Sequence, residues 1–217
     1  MIDFIKKIAF LGLFKKTYSQ DKEDLFLINH FKGMDKGYYV DIGCHHPKRF
    51  SNTYLLYKKG WNGLNVDANK LAIILFKIFR FRDENVCAIL SDSSKSAVFY
   101  EFNESALNGM LSTQRVNKLL NLGFTIKKKK RTTPISIQNF IMQHRLKERK
   151  INFFKIDIEG LDFEVIKKMN LKNLDIDLLM VEKSIKQEND KMIQWLKSEF
   201  YSTIHESNRN YILKKNE

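Results

Sequence analysis

Carboxylates follow several short apolar runs of this sequence, at positions where they could share one ligand. The acidic residues that end these runs are Asp41, Asp67, Asp92, Asp157 and Glu182. Near-continuous apolar runs are typical of parallel strands that are buried on both faces. In an open α/β sheet the ligand lies outside the carboxyl ends of the strands, so these side chains are expected to converge. The pattern predicts one binding crevice at one edge of a parallel sheet.

The turn after the first run contains a single glycine, in the sequence VDIGC. A dinucleotide-binding loop needs further glycines, so this turn would cradle a pyrophosphate poorly. S-adenosylmethionine has no phosphate, and one glycine that allows close backbone approach is enough for it. Its carboxylate could meet backbone N–H groups where a Ser-Asn-Thr cap begins a helix. The predicted cofactor contacts in this region are Asp41, Gly43, Cys44, Asn52 and Thr53.

The next two runs supply the remaining predicted cofactor contacts. Asp67, followed by Ala68, ends the second run and could accept hydrogen bonds from two ribose hydroxyls. Asp92, beside Ser91, ends the third run and is expected near the adenine amino group. The alternative for Asp67 is a cap on the following helix.

Methyl transfer from a sulfonium to a hydroxyl oxygen requires a group that takes the hydroxyl proton. Asp157 and Glu159 follow the fourth run two residues apart, so they share a face if the strand continues. Asp157 is also a predicted cofactor contact, and Glu159 could instead cap the next helix or pair with a lysine. His45 and His46 in the first loop are rival bases because histidine titrates near neutrality.

Three charged residues are predicted to contact the substrate. Arg49 and Lys155 could bind an anionic acceptor, and Glu182 ends the fifth strand at the same crevice. A divalent metal could acidify the hydroxyl, with oxygen ligands from Asp157, Glu159 and Glu182. The spacing carries no metal signature, so metal dependence is left open.

The elements around these residues alternate in type. Strands are predicted over 37–43, 63–67, 85–92, 151–157 and 177–182. Helices are predicted over 54–59, 69–79, 135–147, 162–169 and about 190–200. The tail predicts an antiparallel pair over 201–205 and 210–213. This order favours a Rossmann-like α/β fold with a mostly parallel sheet and helices on both faces.

Between the third and fourth strands the sequence contains an insertion. Residues 97–102 predict an extra strand, and 103–123 a loop with a helix. Insertions at this edge often build the substrate site. The basic run Lys127–Arg131 follows, and such runs are usually solvated faces.

Length and charge limit the function classes. The 217 residues suit an N-terminal helical segment over 1–30 and one domain over 31–217. Two unpaired cysteines favour a reduced, cytoplasmic setting. The net charge of +13 fits an anionic glycan, lipid headgroup or membrane surface at least as well as nucleic acid. The apolar run Ile8–Phe14 is too short to span a bilayer, but peripheral contact with an anionic membrane is an alternative to packing on the domain.

Two blocks resemble the FkbM methyltransferase family. They read YYVDIGCHHPKRFSNTYLLYKKGWNGLNVDAN and FFKIDIEGLDFEVIKKM, and the resemblance extends from about Ser19 to Leu213. It implies a class I methyltransferase fold, O-methylation of sugar, glycan or natural-product hydroxyls, and cofactor roles for Asp41, Gly43, Asp67 and Asp92. The sequence departs from the family in having Asp rather than Glu at position 67.

The resulting prediction is an S-adenosylmethionine-dependent O-methyltransferase of a sugar or glycan, with a surface polysaccharide as one candidate acceptor. An RNA methyltransferase and a non-catalytic cofactor-binding scaffold of the same fold are the alternatives. The oligomeric state is left open.

Overall fold

The structure is a computed structural model that describes residues 17–92, 94–104, 107–111, 113–158, 161–183 and 186–216. The predicted amphipathic segment around Ile8–Phe14 and the candidate base Glu159 lie outside the described residues.

Strands and helices alternate along the chain, as the sequence predicts. The strands are β1 (Tyr38–Ile42), β2 (Asn62–Asp67), β3 (Glu84–Cys87), β4 (Leu90–Ser91), β5 (Ala97–Phe102), β6 (Ile126–Thr132), β7 (Ile135–Ser136), β8 (Lys150–Ile156), β9 (Asp175–Glu182), β10 (Tyr201–Glu206) and β11 (Asn210–Lys215). The helices are α1 (Glu23–His30), α2 (Tyr54–Lys58), α3 (Lys70–Phe79), α4 (Thr113–Asn121), α5 (Ile137–Gln143), α6 (Asp162–Lys168) and α7 (Lys186–Ser198). Short 3-10 turns lie at Leu146–Glu148 and Leu171–Asn173.

The largest sheet has the strand order β10-β11-β9-β8-β1-β2-β3. The five neighbouring strands β9, β8, β1, β2 and β3 are parallel to one another. Strand β11 is antiparallel to both β9 and β10. This arrangement confirms the predicted Rossmann-like α/β fold, including the antiparallel pair at the end of the chain. The order changes direction at β1, so the carboxyl ends of β1, β2 and β8 meet at one switch point.

Successive side chains of the central strands point to opposite faces of this sheet, and both faces are buried. Val40 and Phe154 pack with α5, α6 and α7, whereas Tyr39 and Phe153 pack with α1 and α2. All four side chains are fully buried. Continuous apolar strands are therefore explained by two helical layers, one on each face. Among the described helices, none is long and apolar enough to cross a membrane.

Two predicted elements are shorter in the structure. The strand predicted over 85–92 ends at Cys87, and Leu90–Ser91 instead pairs with β7 outside the main sheet. The apolar run continues past the strand because Ala88, Ile89 and Leu90 line a cleft. The helix predicted over 135–147 is limited to α5, since Arg145 adopts a positive φ of 51°.

Residues 97–132, which contain the predicted insertion and the basic run after it and which we call the insertion, contribute a separate small sheet. β5 and β6 make an antiparallel pair, and Tyr100 forms an isolated bridge with Gly109. A register shift between Glu101 and Phe102 leaves Lys127 unpaired in the β6 ladder. Such a bulge changes which residues of the strand share a face.

Candidate active site

A cleft of about 710 Å³ lies at the carboxyl ends of the central strands. Strand ends and the loops after them line one side, with residues 41–45, 66–71, 88–90 and 157–158 together with Glu182. The insertion lines the other side with Phe99, Glu101, residues 107–110, Lys127 and Lys130. The volume falls in the range of small-molecule and cofactor sites.

The glycine turn after β1 touches the end of β8. Gly43 has a φ of +77°, and a Cβ atom there would lie 1.7 Å from the backbone oxygen of Asp157. Asp157 N donates to Ile42 O at 3.0 Å, and Gly43 N donates to Val66 O at 2.9 Å. These bonds join the ends of three strands, so glycine is required for the floor of the cleft to close.

Lys155 is buried between two carboxylates at this floor. Its Nζ donates to Gly43 O at 3.1 Å and lies 3.3 Å from Asp157 Oδ2 and 3.5 Å from Asp41 Oδ1. Burial alone would lower the pKa of Lys155, but Asp157 and Asp41 raise it above its usual value. Lys155 lines the cleft as predicted, but its ammonium already contacts three protein groups, so an acceptor contact at Lys155 stays a prediction.

Asp41 and Thr53 form a second buried contact beneath the cleft. Thr53 is fully buried and does not line the cleft, and its Oγ1 donates to Asp41 Oδ2 at 2.9 Å. Asn52, the preceding residue, does line the cleft and is only 5% exposed. The predicted cofactor contact at Thr53 is thus replaced by a role in holding Asp41, while Asn52 lies where the prediction put it.

Arg80 continues this network, and sequence reasoning missed it. Its Nη2 donates to Thr53 Oγ1 at 3.2 Å and to the hydroxyl of Tyr39 at 2.6 Å, and its Nε donates to Asp83 at 2.8 Å. Burial alone would lower the pKa of Arg80, but Tyr39 and Asp83 raise it. The sequence offers one signal for this network, because Arg80 and Asp83 lie three residues apart in the short segment that follows an apolar helix.

Asp67 lies at the end of β2 with one hydrogen bond to each carboxylate oxygen. His45 N donates to Oδ2 at 2.8 Å, and Asn69 N donates to Oδ1 at 2.7 Å. Burial raises the pKa of Asp67. The side chain that caps α3 is Asn69, whose Oδ1 accepts from Leu71 N. Each Asp67 oxygen therefore keeps a lone pair that can accept a hydroxyl proton from a ligand.

The two histidines differ in position. His45 lines the cleft, and burial lowers its pKa. The Nδ1 of His46 accepts from Lys48 N at 3.0 Å and Arg49 N at 2.9 Å, and His46 does not line the cleft. Arg49 is exposed, also outside the cleft lining, and stacks over Phe50 at 4.5 Å. The geometry favours His45 over His46 as a base.

The residues predicted to contact adenine lie outside the cleft lining. Ser91 Oγ donates to Asp92 Oδ1 at 3.0 Å, and Asp92 is exposed. The prediction assumed one strand as far as Asp92, whereas β3 ends at Cys87. Cys44 and Ala68 do line the cleft. Within the described residues there is no cluster of three or more His, Cys, Asp or Glu side chains that could hold a metal ion.

Two lysines from the insertion add positive charge to the cleft. Lys127 and Lys130 are exposed, and neither forms an ion pair with another residue that the structure describes. Lys130 pairs with the buried Phe99 across the hairpin, and the bulge turns Lys127 towards the same side. The run Lys127–Arg131, which the sequence predicts to be a solvated face, therefore contributes two lysines to the cleft.

The strand order and the cleft at the switch point are those of a Rossmann-like α/β protein with a ligand site at its strand ends. The chain matches the Methyltransferase FkbM domain over residues 41–212, so it belongs to this family, as the sequence resemblance predicted. Among curated protein sequences, none matches the chain.

Three solved structures that resemble the chain are described as methyltransferases. The METTL16 methyltransferase domain is 8% identical with a TM-score of 0.45, covering 90% of this chain and 66% of that one. A protein described as a putative ribosomal RNA methyltransferase from Plasmodium falciparum is 14% identical with a TM-score of 0.41. The match covers 88% of this chain and 93% of that one. Human methyltransferase 10 domain containing protein is 8% identical with a TM-score of 0.40. The match covers 88% of this chain and 80% of that one.

Proposed function

We propose that this protein is an S-adenosylmethionine-dependent O-methyltransferase that acts on a hydroxyl of a sugar or glycan. The observation that carries the proposal is that Gly43, Asp67 and Asp157 line one cleft in a chain of the FkbM family. The cofactor supplies an electrophilic methyl group on a sulfonium. Everything else in the reaction depends on how the side chains of the cleft hold the two reactants.

The polar groups of the cleft fit this cofactor. The carboxylate of Asp67 has free lone pairs for ribose hydroxyls, and Gly43 leaves space where a side chain would fill the floor. Asn52 is nine-tenths buried and lines the cleft, where its amide could bind the amino acid end of the cofactor. Ala88, Ile89 and Leu90 provide an apolar wall that suits a purine ring.

Two described groups of the cleft are our candidates for taking the hydroxyl proton. Asp157 has a side chain that is 29% exposed and is paired with Lys155. His45 is favoured in its neutral form because burial lowers its pKa, so its imidazole can accept a proton near neutral pH. Glu159 is retained as a third candidate because it follows Asp157 by two residues.

The acceptor is expected against the insertion, opposite the strand ends. Phe99 provides an apolar surface, and Lys127 and Lys130 provide positive charge without an ion pair among the described residues. We propose that the acceptor carries a carboxylate or phosphate close to the methylated hydroxyl. This assigns to the hairpin the anion-binding role that the sequence had suggested for Arg49 and Lys155.

Calorimetric titration with S-adenosylhomocysteine tests the cofactor part of the proposal. We expect one site per chain and loss of most affinity in Asp67→Ala, with the variant still folded. Transfer of a labelled methyl group to neutral glycans, acidic glycans and RNA then tests the acceptor. Failure to bind the ligand at all would overturn the cofactor part of the proposal. Binding without methyl transfer to any of these acceptors would favour a non-catalytic cofactor-binding scaffold, and methylation of RNA alone would establish the rival enzyme function.

A further inference from the structure

Helix α3 carries apolar side chains on its exposed side as well as its buried side. Ala72, Ile73 and Phe76 are buried against the protein. On the outer side Leu71 is 71% exposed and Ile78 is 61% exposed. A helix that is apolar all round normally lies inside a protein or a membrane, so its position at the surface needs a physical reason.

The exposed side chains of α3 and the following loop form one surface, which we call the α3 surface. Its members are Leu71, Ile74, Ile78, Phe79 and Phe81. Positions 71, 74 and 78 lie on one helical stripe. Phe81 is 73% exposed in the loop after the helix. Contiguous exposed apolar groups of this kind mark a site of contact with another molecule or a membrane.

The charged residues of the segment that carries the α3 surface are all positive. Residues 68–82 contain Lys70, Lys77, Arg80 and Arg82 but no carboxylate. Arg80 is buried, whereas Lys70 and Lys77 are exposed and form no ion pair with any residue in the described part of the chain. Apolar side chains flanked by lysines are characteristic of helices that lie in the interface of an anionic bilayer.

We propose that the α3 surface binds an anionic lipid bilayer, with the helix parallel to the membrane plane. A symmetric contact with a second copy fits less well, because it would bring the lysines of two α3 helices close together. Lys70 and Leu71 also line the cleft, so a bilayer at this surface would lie beside the cleft mouth. The proposal goes beyond the methyltransferase function and does not depend on it.

Co-sedimentation of the full chain with lipid vesicles tests this proposal. The two vesicle types are phosphatidylcholine alone and phosphatidylcholine mixed with phosphatidylglycerol. We expect binding to the mixed vesicles that weakens as salt is raised. Ile78→Asp and Phe81→Asp should each weaken binding about tenfold, because an apolar contact is replaced by a charge. Lys77→Gln should weaken it about fivefold.

Met142→Asp is the matched control, because Met142 on α5 is 68% exposed but lies outside the α3 surface. It should bind vesicles like the unmodified chain, and every variant should still bind S-adenosylhomocysteine. The proposal is overturned if the unmodified chain ignores anionic vesicles, or if Ile78→Asp and Phe81→Asp bind them normally. It is also overturned if Ile78→Asp dissociates a dimer without changing vesicle binding.

Discussion

The hydroxyl of Thr53 donates a hydrogen bond of 2.9 Å to the carboxylate of Asp41, directly beneath the cleft floor. The same hydroxyl accepts a bond of 3.2 Å from Arg80. Asp41 is therefore held from below by Thr53 and lies 3.5 Å from the ammonium of Lys155. The carboxylate before the glycine turn is fixed before any ligand arrives, which lowers the cost of ordering the site on binding.

Replacing Thr53 by valine tests this support. Thr53→Val removes one donor and one acceptor from a buried network, which should cost about 1–3 kcal/mol of unfolding free energy. We also expect weaker binding of S-adenosylhomocysteine, because Asp41 loses a fixed partner. Thermal unfolding and calorimetry measure the two effects. Thr53→Ser keeps the hydroxyl and should restore affinity, and equal affinities in the two variants would exclude a positioning role.

Removing the charge of Asp67 tests the proposed ribose contact. Asp67→Asn keeps the shape but removes the negative charge and replaces one acceptor oxygen by an NH2 group, so affinity for S-adenosylhomocysteine should fall by about 1.5–3 kcal/mol. Asp67→Glu is the control, since the family commonly has Glu at this position. Calorimetry that gives unmodified affinity for a folded Asp67→Asn protein would remove Asp67 from the cofactor site.

The pH dependence of turnover distinguishes the candidate bases. Burial lowers the pKa of His45 below its usual 6.5, with Lys155 and Arg49 acting in the same direction and Asp67 opposing them. If His45 is the base, kcat/KM should be constant near neutral pH and should fall as the pH drops through a value below 6.5. The fall occurs because protonated imidazole cannot accept the hydroxyl proton.

Substitution then assigns the base to one residue. The substitution that removes the base, either His45→Asn or Asp157→Asn, should lower kcat by about 10²–10⁴-fold. Asp157→Asn also leaves the buried Lys155 with one counter-charge fewer, so its stability and S-adenosylhomocysteine affinity need to be measured alongside. Full activity in both folded variants would direct the search to Glu159.

The sequence predicted the fold well because its signals are local. Alternating apolar strands and helices are enough to identify a parallel sheet, and the end of β2 at Asp67 follows from one apolar run. Contacts between distant segments were not predictable in the same way. The bonds from Arg80 to Tyr39 and Thr53 join residues 41 and 27 positions apart, and no pattern in the sequence connects them. The predicted strand that ended at Asp92 was too long, because an apolar run does not show at which residue a strand stops pairing with its neighbour.

The last prediction concerns the two lysines of the insertion, and it tests the proposed charge of the acceptor. Once an acidic acceptor is found, Lys127→Gln combined with Lys130→Gln should raise its KM by about tenfold, with kcat nearly unchanged. The expected loss combines two charge-assisted contacts that are each worth about 0.7 kcal/mol at a solvent-exposed site. Lys129→Gln is the matched control, because Lys129 pairs with Tyr100 and lies 5.7 Å from its ring rather than in the cleft lining.

The single variants Lys127→Gln, Lys129→Gln and Lys130→Gln distinguish a small acidic acceptor from RNA. Binding of RNA should depend on every lysine of β6, so Lys129→Gln would weaken it as much as Lys127→Gln does. It would also weaken steeply with salt, because each phosphate contact releases counterions. A small acidic acceptor depends on only the two lysines that line the cleft. Equal losses in all three single variants, together with a steep salt dependence, would therefore contradict the glycan proposal and favour RNA.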